Sequence, residues 1–414
     1  MKKEKQKKDR KNFKKSEVII LLGITSFISI ILGFTISSIS GLSIKINSII
    51  GNKATSTSMN DEHLQKFTDN YEYIINNYYE KIDREKLIDD AIAGMMETLD
   101  DPYSVYMDEN SSSSFNISLD GEYQGLGIQV IKDDDKKAVL ILSVFENSPA
   151  EKSGLKAGDY ITKVNNIDLS EKTATEFSDV ILKGEGKKFI LNVIRDDKEE
   201  QIEVIRDNVT INSVTSKVYE KNDKKIGYIY ISIFANNTSK QFKDQLKKLE
   251  KEKIDSLIID VRENTGGHLT SVETILNSLL TKNQITYQLN KKNKTIKYYG
   301  KAKENKKYNI VLLGDKNSAS ASEILIASLR ENLGAKLIGT KTYGKGTVQE
   351  LITMTDGEQY KITTKKWLTP NGNWINDTKG IKPDIEVDMD ESVYNDYSED
   401  KDVQLKKALE YLTE

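Results

Sequence analysis

Apolar positions early in the chain follow a helical period. Residues 61–100 contain two runs in which apolar side chains recur every three or four positions, which places them on one face of a helix. The two faces are formed by Leu64, Phe67, Tyr71, Ile74, Ile75 and Tyr78, and by Leu87, Ile88, Ala91, Ile92, Met95 and Met96. Pro102 ends the second run, because the residue before a proline disfavours helix. The pattern predicts a linker and helical N-terminal region over 41–115.

The periodicity shortens to two after a serine-rich stretch, 108–122, that its composition predicts to be a linker. Short apolar and β-branched runs separated by turn residues predict a compact β-rich domain over 116–208. Strand-like runs then alternate with amphipathic helices over 209–390, which predicts an α/β domain with a largely parallel, mixed sheet. Residues 391–414 are predicted to form a helical tail. The predicted fold class is multidomain α/β.

The N-terminal segment predicts membrane insertion. Residues 1–17 form a basic tail, with nine Lys or Arg and two acidic residues in the first fifteen positions, and no charge occurs from Val18 to Ile44. About 20 apolar residues span a bilayer as a helix, so we predict a transmembrane anchor at 18–40. The basic tail stays in the cytoplasm and the body lies outside the cell. A cleaved signal peptide is the alternative, although no A-x-A-like site follows the apolar stretch.

The amino-acid composition narrows the kinds of site and partner that the chain can have. The chain has no cysteine and two histidines, which excludes thiolate ligands and disfavours a zinc site. No metal or other cofactor is expected. Beyond the first fifteen residues the net charge is −10, and an acidic body argues against nucleic-acid binding.

The segment DKNSASASEI (315–324) follows a predicted strand and begins a predicted helix. Ser320 and Glu323 have the S-x-x-E spacing of a capping box. The same position suits a nucleophile, because N–H groups at the start of a helix stabilise a developing oxyanion. Local sequence leaves both interpretations open.

A nucleophilic serine needs a base. His63 lies on the exposed face of a predicted helix, whereas His268, after a Gly-Gly pair, is a candidate for a Ser-His-Asp triad. A lysine base must be neutral, which favours one in a tight, structured position. Lys345 lies between two glycines and before a predicted strand. If that strand is extended, Gln349 shares its face and can hold the amine.

Three further segments contain glycine-rich turns. GTKTYGK (339–345) fits a phosphate-binding loop only in part, since Gly346 replaces the required Ser or Thr and the following residues favour a strand. DVRENTGG (260–267) is either a strand-to-helix turn or a source of an N–H group for the oxyanion. QGLGIQV (124–130) is a glycine-rich turn that can present N–H groups to a peptide carboxylate.

Together, these segments resemble the carboxyl-terminal processing (tail-specific) proteases, a family of exported or membrane-anchored Ser/Lys endopeptidases that carry a PDZ domain. The resemblance covers roughly residues 64–390, and serine and lysine motifs in this order are specific to the family. The matching segments are LDDPYSVYM, GLGIQV, NSPAEKSGLKAGDYITKVNN, DVRENTGG, SASASE, TYGKGTVQ, TPNG and KGIKPDIEV.

The resemblance implies a role for each matching position. The nucleophile is Ser320, the general base is Lys345 and its orienting partner is Gln349. The oxyanion donors are the N–H groups of Ala321 and of the Gly266 region. Residues 116–208 become the PDZ domain and 209–390 the protease domain. The PDZ loop that binds a substrate's C-terminal carboxylate comprises Gly125, Leu126, Gly127 and Ile128.

The expected function is that of a serine endopeptidase that cleaves exported or membrane proteins after its PDZ domain binds their nonpolar C-termini. The resemblance also implies homodimers. The alternative is a catalytically inactive PDZ scaffold that tethers protein C-termini.

Overall fold

A computed structural model describes residues 61–107, 109–354, 358–390, 393 and 398–414. The predicted basic tail and the predicted anchor at 18–40 lie outside these residues, and no helix within them is long and apolar enough to cross a membrane. The described chain divides into two compact units. One comprises 61–116 and 347–365, and the other comprises 117–346 and 366–414.

The N-terminal residues of the first unit form the two predicted helices. Helix α1 spans Glu62–Asn77 and α2 spans Arg84–Glu97. Each begins after an aspartate whose carboxylate accepts backbone N–H groups of the first turn, Asp61 in α1 and Asp83 in α2, which replaces bonds missing at a helix start. Pro102 follows α2, and a short strand not predicted from the sequence, β1 (Val105–Met107), comes next.

The predicted serine-rich linker is wrong, because residues Glu109–Asp120 form helix α3. Serine has modest helix propensity, and tertiary contacts override it. The helix end is fixed by two bonds. The Asn236 N–H donates to the Leu119 carbonyl at 2.7 Å, and Asn237 Nδ2 donates to the Gly121 carbonyl at 2.6 Å.

The β-rich domain contains eight strands and two short helices. They are β2 (Glu122–Gly125), β3 (Ile128–Asp133), β4 (Ala138–Val144), α4 (Pro149–Lys152), β5 (Tyr160–Val164), β6 (Ile167–Asp168), α5 (Ala174–Lys183), β7 (Lys188–Arg195), β8 (Lys198–Ile205) and β9 (Asp207–Thr210). An antiparallel sheet runs in the order β3-β4-β5-β7-β8, and β2 pairs with β9. Phe177 of α5 is buried in the core of the sheet, which leaves a groove between α5 and β3.

The α/β domain alternates strands and helices as predicted. Its elements are β10 (Val214–Lys221), β11 (Lys224–Ile231), α6 (Thr238–Lys251), β12 (Ser256–Asp260), α7 (Leu269–Leu279), β13 (Ile285–Lys291), β14 (Lys294–Tyr299), β15 (Asn309–Gly314), α8 (Ala321–Leu333) and β16 (Lys336–Gly339). Later in the chain come β17 (Thr347–Thr353) and β18 (Gln359–Leu368), then β19 (Ile385–Glu386), a 3-10 turn (Glu399–Lys401) and α9 (Val403–Tyr411).

The main sheet is mixed, with the order β10-β11-β12-β15-β16-β19. The β10–β11 pair is antiparallel and the other neighbours are parallel. The carboxyl ends of β12 and β15 are therefore adjacent, at the edge where α/β sheets form their sites. DVRENTGG follows β12 and DKNSASASEI follows β15. The sheet thus brings together two segments that are 55 positions apart, counted from Asp260 to Asp315.

Candidate active site

The three alternating serines have different environments. Ser318 and Ser322 are buried, and their hydroxyls donate to the carbonyls of Val261 and Asn264, each at 2.8 Å. These two serines fasten the segment to the turn after β12. Ser320 is only half-buried, and its backbone has φ 55°, a strained conformation for a residue with a side chain. The middle serine is the one presented to solvent.

Glu323 connects the serine loop with the lysine loop. Its carboxylate is fully buried. One oxygen accepts the N–H groups of Ser320 and Lys345, each at 2.9 Å. The backbone nitrogens of these residues therefore lie no farther apart than the sum of those distances. The sequence assigned Glu323 only to a helix cap, and its second role went unrecognised because the other donors come from residues 342–345.

The other oxygen of Glu323 accepts the Thr342 hydroxyl at 2.6 Å and the Gly344 N–H at 2.7 Å. Burial raises the pKa of Glu323, and these four hydrogen bonds oppose that rise by stabilising the carboxylate. The ionised form is the one that can accept four donors.

Lys345 is held in a tight position. The residue is 8% exposed, the environment that a neutral lysine requires. Its carbonyl accepts Trp367 Nε1 at 2.8 Å, and Gly346 beside it donates to Asn376 Oδ1 at 2.5 Å. Gly344 has φ 96° and packs against the backbone of Lys379, so only glycine fits there.

The glycine turn after β12 lies against the nucleophile. A Cβ added to Gly266 would come within 2.9 Å of Ser320 Cβ. The Gly266 N–H, expected from the sequence to be an oxyanion donor, already donates to Asn264 Oδ1 at 2.9 Å. Because of that bond, the Gly266 N–H is not available to an oxyanion.

The next backbone N–H group, that of Gly267, has a different environment. The Phe234 N–H donates to the Gly266 carbonyl, and the Phe234 carbonyl accepts the His268 N–H. In this pairing the Gly267 N–H points away from Phe234, and it has no acceptor within the described parts of the chain. The Ala321 N–H is likewise without one there, as expected at the first residue of a helix.

No hydrogen bond joins His268 to Ser320 among the described residues. His63 lies exposed on α1. Burial lowers the pKa of the His268 ring, and Asp120 and the Leu119 carbonyl at the end of α3 oppose that decrease. The triad that the sequence left open is therefore not formed by these contacts.

Gln349 lies on β17, in the unit that contains 347–365. Its Nε2 donates to the hydroxyls of Thr347 and Thr363 at 3.0 and 2.9 Å. The bond to Thr347 agrees with the predicted extended strand, since both residues share one face. These bonds hold the amide with Oε1 as its remaining acceptor.

The segment Gly125–Ile128 joins β2 to β3 at the end of the groove beside α5. The carbonyls of Leu126 and Gly127 accept the N–H groups of Ala150 and Phe145 at 2.8 and 2.9 Å. These bonds fix the loop on the side of the domain core. Nonpolar residues of β3 and α5 line the groove, among them Ile128, Val130, Phe177 and Ile181.

Glu323→Gln is expected to lower kcat by about 10- to 100-fold with little change in KM. An amide has one acceptor oxygen and places an NH₂ group against N–H donors, so the Ser320 and Lys345 backbones shift, and a displacement near 1 Å costs up to about 10²-fold in rate. Initial-rate kinetics on a peptide substrate measure both constants, and Glu331→Gln on the exposed part of α8 is the matched control. An unchanged kcat would contradict the positioning role.

Three family models match the chain. They are peptidase family S41 over residues 225–387, a PDZ domain over 124–205 and the N-terminal domain of the activating protease CtpB over 33–111. A solved structure, the photosystem II D1 C-terminal processing protease, is similar at 22% identity and a TM-score of 0.45, and the match covers 79% of this chain and 94% of that one.

Curated relatives match most of the chain. The carboxy-terminal processing protease CtpB of Bacillus subtilis is 40% identical over 362 residues, which is 86% of this chain and 73% of the relative. CtpA of the same organism is 37% identical over 346 residues, 83% of this chain and 72% of the relative. The sequence-based family prediction is confirmed: this chain belongs to the carboxy-terminal processing proteases, serine endopeptidases of peptidase family S41 with a PDZ domain.

Proposed function

We propose that Ser320 is the nucleophile of this protease, that Lys345 is its general base and that the N–H groups of Gly267 and Ala321 form the oxyanion hole. The observation that carries this assignment is the buried Glu323 carboxylate, which binds the backbones of Ser320 and Lys345 on a single oxygen. The two flanking serines are bonded to backbone carbonyls. Ser320 is therefore the serine of this segment that we assign as the nucleophile.

The mechanism follows from these positions. The neutral Lys345 amine takes the proton of the Ser320 hydroxyl as Oγ attacks the scissile carbonyl. The negative oxygen that develops is held by the N–H groups at Gly267 and at the start of α8. The lysine ammonium then protonates the leaving amine. In the second half, Lys345 deprotonates a water molecule that hydrolyses the acyl-enzyme. The family resemblance assigns Gln349 the role of orienting this amine.

We further propose that substrates are proteins with nonpolar C-termini, bound as an added strand along β3. The nonpolar lining of the groove and the glycine loop at its end support this assignment. A peptide with a nonpolar free C-terminus is expected to be cleaved at least about 10-fold faster than its C-terminal amide, since the amide loses charge-assisted hydrogen bonds to the loop. Binding without cleavage in either case would support an inactive scaffold. Equal cleavage of acid and amide would contradict recognition of the carboxylate.

The N-terminal segment supports a membrane-anchored form with its catalytic body outside the cell. The uncharged stretch from Val18 to Ile44 follows nine basic residues, and positive charge remains cytoplasmic. Proteinase added to intact cells should therefore digest a C-terminal epitope tag and spare an N-terminal one. Protection of both tags would contradict this orientation. Association into homodimers remains a proposal by family resemblance, testable by the mass of the purified protein in solution.

A further inference from the structure

The segment TPNG (369–372) forms a turn that is fixed to β13. Gly372 in this turn has φ 88°, a conformation that favours glycine. Gln288 Nε2, on β13, donates to the Pro370 carbonyl at 2.9 Å. Ile375, three residues after the turn, is buried. The chain that follows TPNG is therefore held in a defined position.

The two side chains that flank Ile375 are bonded to Gly346, the residue after the proposed base. The Gly346 N–H donates to Asn376 Oδ1 at 2.5 Å, and Trp374 Nε1 donates to the Gly346 carbonyl at 2.8 Å. The same carbonyl also accepts the Trp367 N–H at 3.0 Å. Both backbone polar groups of Gly346 are thus paired, and Asn376 is the acceptor for its N–H.

The backbone of Lys345 is held in the same way. Its N–H donates to Glu323 at 2.9 Å, and its carbonyl accepts Trp367 Nε1 at 2.8 Å. A lysine between two glycines would otherwise lie in an adaptable stretch of chain, because glycine has more conformational freedom to lose than any other residue. Side chains from α8, β18 and the segment after TPNG restrict that freedom at Lys345 and Gly346.

Contact with these side chains explains why residue 346 is glycine. The Gly346 backbone does not lie in the left-handed region, so its conformation alone does not require glycine. A Cβ at this position would come within 2.5 Å of both Asn376 Oδ1 and Trp374 Nε1, which is too close for a side chain. The missing side chain therefore allows the amide and the indole to approach the backbone next to Lys345.

We propose that Asn376, assisted by Trp374, is a positioning residue for the general base: it holds Gly346 and thereby orients the Lys345 amine toward Ser320. This inference rests on the proposed role of Lys345. A general base acts from about 2.6–3.2 Å away from the atom whose proton it takes. A small shift of the lysine backbone therefore affects the chemical step more than it affects substrate binding.

The first test measures kcat and KM of the full-length chain on a peptide with a nonpolar C-terminus. Asn376→Ala is expected to lower kcat by about 10- to 100-fold with little change in KM, because a displacement near 1 Å costs up to about 10²-fold in rate. Asn376→Asp retains an oxygen that accepts the Gly346 N–H and should recover most of the lost kcat. The matched control is Asn373→Ala, since the Asn373 side chain lies exposed in the same segment.

Trp374→Phe removes the indole N–H and retains an aromatic ring for Lys366, whose Nζ lies 3.7 Å from the centroid of the Trp374 ring. The Gly346 carbonyl keeps the Trp367 N–H in this variant, so the loss of kcat should be smaller than in Asn376→Ala. A rise in KM that accounts for the loss in Asn376→Ala, no recovery in Asn376→Asp, or an equal loss in Asn373→Ala would each overturn the positioning role.

The second test combines Asn376→Ala with Lys345→Met under single-turnover conditions with excess enzyme. Without the amine there is no base to orient, so Asn376→Ala should cause little further loss, because residues that act as a unit are not additive. A further loss as large as in the parent would show that Asn376 acts elsewhere and would overturn the inference. If Lys345→Met retains the parent activity, the proposed base fails and this inference fails with it. If Lys345→Met loses activity and Asn376→Ala does not, this inference alone is overturned.

Discussion

Ser320→Ala and Lys345→Met are each expected to lower kcat/KM by at least about 10³-fold, and the double variant should be no slower than the slower single variant. Removal of a nucleophile or of its base disables the same step, and losses within such a unit are far from additive. Methionine retains most of the length of the lysine stem without the amine. Hydrolysis of a quenched peptide with a nonpolar C-terminus, followed to single-turnover limits, measures all three variants.

Two matched controls separate chemistry from packing. Ser318→Ala removes a buried hydroxyl that donates to the Val261 carbonyl and fastens the serine segment, so it should lower activity, but far less than Ser320→Ala, because the nucleophile itself remains. Lys341→Met removes a lysine from the same loop as Lys345. Activity that survives in both Ser320→Ala and Lys345→Met, or losses that multiply in the double variant, would show that another pair carries out the reaction.

The residues around Ser320 and Lys345 show which features can be predicted from the sequence alone. Periodicity correctly predicted α1, α2 and the extended β17, because those patterns depend on which face of an element is buried. The sequence did not decide whether Ser320 is a helix cap or a nucleophile, because Glu323 both caps the helix and accepts hydrogen bonds from a loop. That second function requires Thr342 and Gly344 to lie beside α8, and only the tertiary fold places them there.

The glycine turn and α3 illustrate what local patterns omit. The sequence left the Gly-Gly pair open between a strand-to-helix turn and an N–H donor to the oxyanion, and the family resemblance placed that donor in the Gly266 region. Which of the two N–H groups is open depends on Asn264 and on a pairing with Phe234, a residue from another part of the chain. In α3 the serine-rich composition predicted a linker, whereas bonds from Asn236 and Asn237 fix the end of a helix.

The second large effect concerns stability. Arg262 lies two residues before Asn264 and is 6% exposed. Its guanidinium donates to Asp260 at 2.6–3.0 Å and to Asp402, before α9, at 2.8 and 2.9 Å. Burial by itself would lower the pKa of Arg262, but the two carboxylates outweigh it and raise the pKa well above its ordinary value. One buried cation thus joins the strand before the glycine turn to the C-terminal helix.

Arg262→Met is expected to lower the free energy of unfolding by about 3–5 kcal/mol, the cost of removing one partner from a buried ion pair. The reason is that Asp260 and Asp402, which are 1% and 0% exposed, lose the charge that offsets their desolvation. Urea unfolding followed by the fluorescence of the buried Trp367 measures the change. A loss below about 1 kcal/mol would contradict this expectation, because a loss that small is typical of ion pairs exposed on the surface.

Asp402→Asn provides the matched comparison and a check on the cause. In that variant Arg262 retains Asp260, so no buried charge is left unpaired and the loss should be clearly smaller than in Arg262→Met. If orphaned charge is the cause, adding Asp402→Asn to Arg262→Met should recover part of the lost stability, since one of the two unpaired carboxylates is then neutral. If packing of the arginine stem is the cause instead, the double variant should be at least as unstable as Arg262→Met. The sign of that coupling energy therefore separates electrostatics from packing.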